Sequence, residues 1–243
     1  MTMKLGIPSK GRLQTQTVEW FAARGVQLEH SASEREYAGA VHGAGDVQLV
    51  FLSAGEIPRE LAAGRIHLGV TGQDMIAEKL PPHAVAEVAT LGFGRADLVV
   101  AVPDFWIDVR RLDDLDAAAA AFRQTYGFRL RVATKYHALV RTFFTRHGIA
   151  DYQLVDSQGA TEGAVVNETA DAIADITSTG ATLRANHLRV LEDGLILSSQ
   201  AALFAARNAQ WSAAAQTGFY ALIGQLGIQC AAPWEREGPT HQG

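Results

Sequence analysis

The chain has 243 residues, 48% of them hydrophobic and 19% charged, which is apolar material for one large domain or two small ones and excludes disordered, collagenous and coiled-coil classes. Twenty-one Lys and Arg against 26 Asp and Glu leave a net charge of −5, so no long-range field draws the chain to nucleic acid or an anionic membrane, and an anionic substrate needs a local basic site. The single cysteine, Cys230, allows no internal disulfide and no multi-thiolate metal site, which suits a reducing cytosol.

In chain order, short β-branched apolar runs alternate with segments of helical spacing. Strand Lys4–Ile7 leads to helix Leu13–Arg24, strand Val47–Leu52 to helix Ile57–Ala63, and strand Ile66–Val70 to helix Asp74–Leu80. Strand Val85–Thr90 runs into Gly92-Phe93-Gly94, after which strand Leu98–Val102 begins a fresh series with helix Leu112–Tyr126, strand Arg129–Ala133, helix Tyr136–His147 and strand Tyr152–Val155. Strands Ala172–Ile176 and Leu188–Leu191 follow, then a helix over Ser199–Ala209. The alternation is that of an α/β protein.

Domain crossings are expected at Gly92/Gly94 and within 177–187. They divide the chain into lobe I (1–93, with a return segment 185–210), lobe II (94–184) and a C-terminal extension (211–243) whose last ten residues are loose. The opening residues run into Ser9-Lys10-Gly11-Arg12 too soon for a signal peptide, and Leu98–Val102 and Gly194–Leu203 fall short of the roughly 20 apolar residues that cross a bilayer. A cytoplasmic protein that touches no membrane and no nucleic acid is the expectation.

Four segments carry candidate chemistry. In 170–183 a strand ends in Asp175 and enters the turn Thr177-Ser178-Thr179-Gly180-Ala181-Thr182 at a helix start. Glycine permits close approach, and amides and hydroxyls donate to phosphate oxygens. With no lysine in it the turn is no nucleotide P-loop, and it suits a monophosphate such as a sugar 5-phosphate. Ordinary helix capping by serine and threonine is the alternative. Asp171 and Asp175 share a strand face about 13 Å apart, so Asp175 is the candidate for ribose hydroxyls or a hydrated magnesium, and Asp171 reads better as a solvated strand end.

Gly6–Leu13 brings Lys10 and Arg12 to a strand's carboxyl end, where a point charge and a fork suit diphosphate or triphosphate oxygens unless water alone covers them. Leu68–Asp74 places Gly72 for backbone approach and Asp74 either as a ligand acceptor or as a helix cap. Gly159–Ala164 places Glu162 in a small-residue turn, with a plain surface acid as the alternative. The eight histidines show no zinc-ligand spacing, and neither a Gly-x-Ser-x-Gly elbow nor a Gly-x-Gly-x-x-Gly fingerprint occurs.

In order, residues 6–13, Arg35-Glu36-Tyr37, Ile66–Asp74, Leu91–Gly94, Ala133-Thr134-Lys135-Tyr136 and Ala172–Leu188 resemble the ATP phosphoribosyltransferase family over about 3–205. The resemblance implies a two-lobed α/β fold like a type II periplasmic binding protein with a central cleft. It also implies transfer of 5-phosphoribosyl from phosphoribosyl diphosphate to ring nitrogen 1 of ATP, releasing diphosphate with magnesium present, as the first step of histidine biosynthesis.

Residue by residue, the resemblance implies a sugar-phosphate cradle at Thr179, Gly180, Ala181 and Thr182. Ser178 and Ala181 stand where many relatives have Glu and Thr, and position 181 thereby loses a hydroxyl. Asp171, Asp175, Thr177 and Ser178 join the phosphoribosyl diphosphate site, while Lys10, Arg12, Gly72 and Asp74 face ATP. Lys10, Arg12, Glu162 and Asp175 are the catalytic candidates, cations against the leaving group and carboxylates against positive charge on the ribose. Glu162 matches a family glutamate, although Gly163-Ala164-Val165 replaces the usual proline-bearing continuation. The length resembles short-form members, which implies a separate regulatory subunit like histidyl-tRNA synthetase, a hetero-octamer, and Phe219 to Leu226 as a docking patch. A non-catalytic two-lobed small-molecule binding protein is the rival reading.

Overall fold

The computed structural model describes residues 2–30, 38–157 and 159–235, and Arg35-Glu36-Tyr37 lie outside the described residues. The chain forms two units, 1–94 with 200–243 and 95–199. Unit 1 begins β1 (Met3–Pro8), α1 (Gly11–Ala22), β2 (Gln27–His30), β3 (Ala38–His42), β4 (Val47–Leu52), α2 (Ile57–Ala62), β5 (Leu68–Gly72), α3 (Gln73–Lys79) and β6 (Val85–Thr90). Unit 2 is β7 (Ala96–Pro103), α4 (Leu112–Tyr126), β8 (Leu130–Thr134), α5 (His137–Arg146), β9 (Tyr152–Asp156), α6 (Gly163–Val166), β10 (Ala172–Thr177), α7 (Ala181–Ala185) and β11 (Leu188–Ser199). Unit 1 then resumes with β12 (Ala201–Ala206) and α8 (Ala213–Leu226).

The first sheet has the order β2-β3-β4-β1-β5-β12-β6 and the second β11-β7-β10-β8-β9. Parallel pairing of β4, β1 and β5 requires crossover helices, and the apolar stripes of those helices cover the sheet. In unit 2, β10, β8 and β9 are parallel, whereas β7 runs antiparallel between β10 and β11. Helix α4 starts where the Asp114 carboxylate accepts the Arg110 and Arg111 amides at 3.0 and 2.9 Å, and stops at Gly127 with φ 78°.

Three sequence expectations are corrected. Ser199–Ala209 is no helix: Ala201–Ala206 is a strand inserted antiparallel between β5 and β6. The chain re-enters unit 1 at Gln200 and not at 185, because β11 pairs β7 from Leu188↔Pro103 to Ser199↔Ala96 and stays with the second sheet. The apolar side chains expected to form a docking patch over Phe219 to Leu226 are turned inward. Residues 213–226 form α8, whose Phe219, Leu222, Ile223 and Leu226 are buried in the core that also holds Met3, Leu5 and Phe21.

Trp234, within the stretch expected to be loose, stacks near Trp211 and Phe219 at ring-centroid distances of 4.8 and 5.4 Å, and residues 236–243 lie outside the described residues. His67, 1% exposed, ties β1 to the segment before α8. Its Nδ1 accepts the Lys4 amide at 3.1 Å, so the hydrogen sits on Nε2, which donates to the Gln210 carbonyl at 3.3 Å. Burial pushes its pKa below the ordinary imidazole value.

Candidate active site

The carboxyl ends of parallel strands collect the candidate residues of each unit, where α/β proteins place their ligands. In unit 1 the pairings Leu5↔Leu68 and Gly6↔Gly69 set β1 beside β5, so Lys10 and Arg12 leave the same sheet edge as Gly72 and Asp74. The Ser9 amide donates to the Leu52 carbonyl at 2.8 Å, adding the turn after β4 to that edge. Lys10 is the extended residue before α1, Gly11 opens the helix at φ 79°, and Lys10 and Arg12 are exposed. Asp74 is buried in the first turn of α3, and its carboxylate folds back over the Cα of Gly72. Close approach of the backbone at 72 and burial of the acid are thus one feature.

In unit 2 the pairings Ala174↔Thr134 and Thr134↔Asp156 align the ends of β10, β8 and β9. The 177–182 turn, Lys135, Ser157 and residues 159–162 all emerge at this edge. Thr177 Oγ1 accepts the Gly180 amide at 2.9 Å and Thr179 Oγ1 accepts the Ala181 amide at 3.3 Å. Gly180, at φ 69°, reverses the chain into α7. With those acceptor positions used, the Thr177 and Thr179 hydroxyl hydrogens are left to donate elsewhere. Ser178, Thr179, Ala181 and Thr182 are exposed, and Asp175 is half-buried with Oδ1 accepting its neighbour Ile176's amide at 2.8 Å.

Asp171 stands apart from the turn. It precedes β10, at the far end of the strand, and its carboxylate is engaged by the backbone and guanidinium of Arg131. Glu162 is half-buried at the start of α6. Its loop is fixed by Ser157 Oγ and Thr161 Oγ1 at 2.7 Å and by Lys135 Nζ donating to the Gly159 carbonyl at 2.5 Å. A cavity of about 340 Å³ beside this loop is lined by Ala133, Val155, Asp156, Ser157, Ala160 and Asn167, among others.

Two cations at this edge were not singled out from the sequence. Lys135 was legible as a lysine directly after a strand. Arg184 lies one helical turn beyond Gly180, and its guanidinium covers that glycine: a methyl on Gly180 would come within 2.9 Å of Nη1. No helix among the described residues is long and apolar enough to cross a membrane.

The chain is similar to known proteins of one family. Residues 53–226 match the ATP phosphoribosyltransferase family. An ATP phosphoribosyltransferase of Cereibacter sphaeroides is 66% identical over 230 residues, covering 94% of this chain and 97% of the relative. One of Nitrobacter winogradskyi is 48% identical over 238 residues, covering 97% and 73%. Among solved structures, the Thermotoga maritima ATP phosphoribosyl transferase (HisG:HisZ) complex superposes with a TM-score of 0.70 at 21% identity, covering 93% of this chain and 97% of that one.

The glutamate-bound GluR0 ligand-binding core of Nostoc punctiforme has a TM-score of 0.51 at 13% identity, covering 91% and 92%. That likeness shows a shared fold of the type II binding-protein kind and nothing of function. The rival reading as a non-catalytic receptor therefore keeps only fold-level support. With two thirds of its residues identical to a named relative across nearly the whole length of both, the chain belongs to the ATP phosphoribosyltransferase family and is a pentosyltransferase of histidine biosynthesis that carries phosphoribosyl from its diphosphate to ATP.

Proposed function

We propose that the two sheet edges divide the substrates, with ATP on Lys10, Arg12, Gly72 and Asp74 and phosphoribosyl diphosphate on the 175–182 segment. Ring nitrogen 1 of adenine attacks the anomeric carbon while the bond to diphosphate breaks and its electron pair leaves on oxygen, with inversion. As that bond lengthens, positive charge grows on the ribose, and Asp175 and Glu162 are the carboxylates of unit 2 that stabilise it. Lys10 and Arg12 offset the negative charge of the polyphosphate. Holding both substrates in register supplies the remainder, worth about 7–11 kcal/mol for well-aligned groups. Asp171, at the opposite end of β10, serves the fold through Arg131.

The observation that carries this reading is the 177–182 turn. Hydroxyl donors gather around a left-handed glycine at a strand's carboxyl end, two of them oriented by the Gly180 and Ala181 amides they accept, with no lysine to suit the turn to a nucleotide triphosphate. Among the described residues no group of three or more His, Cys, Asp or Glu stands ready for a metal ion. Magnesium usually binds through one or two carboxylates plus substrate phosphates, and the donors present fit an ion brought in by diphosphate with Asp175 as the protein ligand. When bound, it supplies charge neutralisation at the leaving group.

We further propose a cytoplasmic enzyme that works with a histidyl-tRNA-synthetase-like regulatory subunit in a hetero-octamer. The HisG:HisZ composition of the Thermotoga maritima structure supports such a partner. The test is to mix the chain with ATP, phosphoribosyl diphosphate and magnesium, with and without the regulatory subunit, and to look for phosphoribosyl-ATP and diphosphate in equal amounts. Ligand binding with no product in either mixture would overturn it.

A further inference from the structure

We infer that Arg184 is the cation of the sugar-phosphate site, a specificity-determining residue that makes the 177–182 turn select a dianionic phosphate; this rests on the reading of that turn as the phosphoribosyl 5-phosphate cradle. The turn by itself offers neutral donors. Two of its three threonine hydroxyls, those of Thr177 and Thr179, are oriented by accepting the Gly180 and Ala181 amides, and its sequence contains no lysine or arginine. A phosphate monoester carries close to two negative charges at neutral pH. Hydrogen bonds from uncharged groups alone discriminate poorly between such a dianion and a sugar hydroxyl competing for the same donors, whereas a guanidinium fork contributes both charge and geometry.

Arg184 meets that need by its place in the fold. A helical side chain leans back toward the helix start, so a residue four positions on covers the residue before the first turn. The Arg184 amide donates to the Gly180 carbonyl at 3.0 Å, and the guanidinium of the same residue lies over the Gly180 α-carbon. In the same unit Arg111, Arg123 and Arg131 are paired with Asp193, Asp151 and Asp171, while Arg184 forms no ion pair with a described residue. The charge stands over the turn, and among the described residues no carboxylate pairs with it. Glycine at 180 has a second use here: any side chain would push Nη1 off the turn.

The experiment uses the full chain with ribose 5-phosphate, which carries the 5-phosphate without the diphosphate, and inorganic diphosphate as the contrasting probe. Arg184→Ala is expected to weaken ribose 5-phosphate about tenfold and diphosphate less than twofold, with Arg184→Lys recovering part of the loss. Between pH 5 and 7, across the second ionisation of the phosphate near pH 6, wild-type affinity should rise more steeply than that of Arg184→Ala. In turnover, the KM for phosphoribosyl diphosphate should rise about as much as the ribose 5-phosphate Kd, with the KM for ATP little moved.

Thr179→Ala and Thr182→Ala are measured in parallel. If they weaken ribose 5-phosphate and Arg184→Ala stays within twofold of wild type, the role of Arg184 is overturned while the cradle stands. If none of the three variants weakens it, the cradle itself is wrong. Arg184→Lys as weak as Arg184→Ala, with the same pH slope as wild type, also rejects a charge role. Arg184→Gln keeps donors without charge and is expected to bind like the alanine variant.

Discussion

Arg131 and Asp171 close a fork between β8 and the start of β10. The Asp171 Oδ2 accepts the Arg131 amide at 2.8 Å and Nε at 3.1 Å, Oδ1 accepts Nη2 at 2.9 Å, and the Asp171 amide returns a bond to the Arg131 carbonyl at 2.9 Å. The side chains are 28% and 12% exposed, so water replaces little of this network when it is cut. Asp171→Asn keeps one acceptor and loses the charge, and should cost about 2 kcal/mol. Its urea midpoint should fall by more than its affinity for phosphoribosyl diphosphate. A lost affinity at an unchanged midpoint would make Asp171 a ligand of the substrate instead.

His67 gives the fold an acid-sensitive point. Its folded pKa lies below the ordinary 6.5 because burial disfavours the imidazolium, and the Nδ1 that would take the proton already accepts from Lys4. Between the two values the unfolded chain binds more protons than the folded one, so stability rises with pH. The contribution is fully present above about 6.5 and drains away as pH falls through the lower folded value. Comparing urea midpoints at pH 7.5 and 5.5, His67→Gln should be less stable than wild type at the higher pH by about 1–2 kcal/mol and should lose less on acidification. Equal losses in both proteins would show that the acid limb belongs to other groups.

How much could be read beforehand follows from what each feature depends on. The strand ends and turns at 6–12, 68–74 and 172–182 were legible because their chemistry is contiguous: glycine, hydroxyls and cations must follow a strand within a few residues. Strand β12 was not. Ala201, Leu203 and Ala205 face one apolar cluster while Ala202, Phe204 and Ala206 face another, so no polar residue marks an alternation, and an alanine-rich run with both faces buried reads as a helix by propensity. The Arg131–Asp171 fork and the bond from Lys135 to Gly159 depend on the register of β8 with its neighbours, which no local pattern encodes. The edge hairpin of β2 and β3 is short and partly polar, and it escaped for the same reason.

The threonines of the turn should separate the two substrates. Thr179→Ala removes a hydroxyl donor and the acceptor of the Ala181 amide, and Thr182→Ala removes an exposed hydroxyl near the start of α7. Each should cost about 1 kcal/mol in affinity for phosphoribosyl diphosphate, roughly fivefold, and under twofold for ATP. Titrations with the opposite order would take this segment out of the sugar-phosphate site.

Gly72 and Asp74 should behave as a coupled pair. The backbone at 72, with φ −71° and ψ 144°, suits any residue, so the need for glycine lies in the space that the Asp74 carboxylate occupies. Gly72→Ala must displace a buried acid, at about 1–3 kcal/mol. In Gly72→Ala/Asp74→Ala that conflict is absent, so the double change should cost less than the sum of the single ones. ATP affinity should drop in Gly72→Ala while ribose 5-phosphate affinity holds. Strict additivity in the stability cycle would show that the alanine methyl and the carboxylate do not meet.

Gly180 separates backbone strain from crowding. At φ 69° and ψ 2° it sits in the left-handed region, where alanine pays about 1–2 kcal/mol and asparagine considerably less. Both place a Cβ in the space that Arg184 Nη1 overhangs. Gly180→Ala should therefore lower the thermal midpoint by a few degrees and weaken ribose 5-phosphate. Gly180→Asn should recover most of the stability and none of the affinity, because the guanidinium is pushed aside in either case. If asparagine restores both together, the left-handed turn alone is what the glycine serves, and the overhanging guanidinium has no part in it.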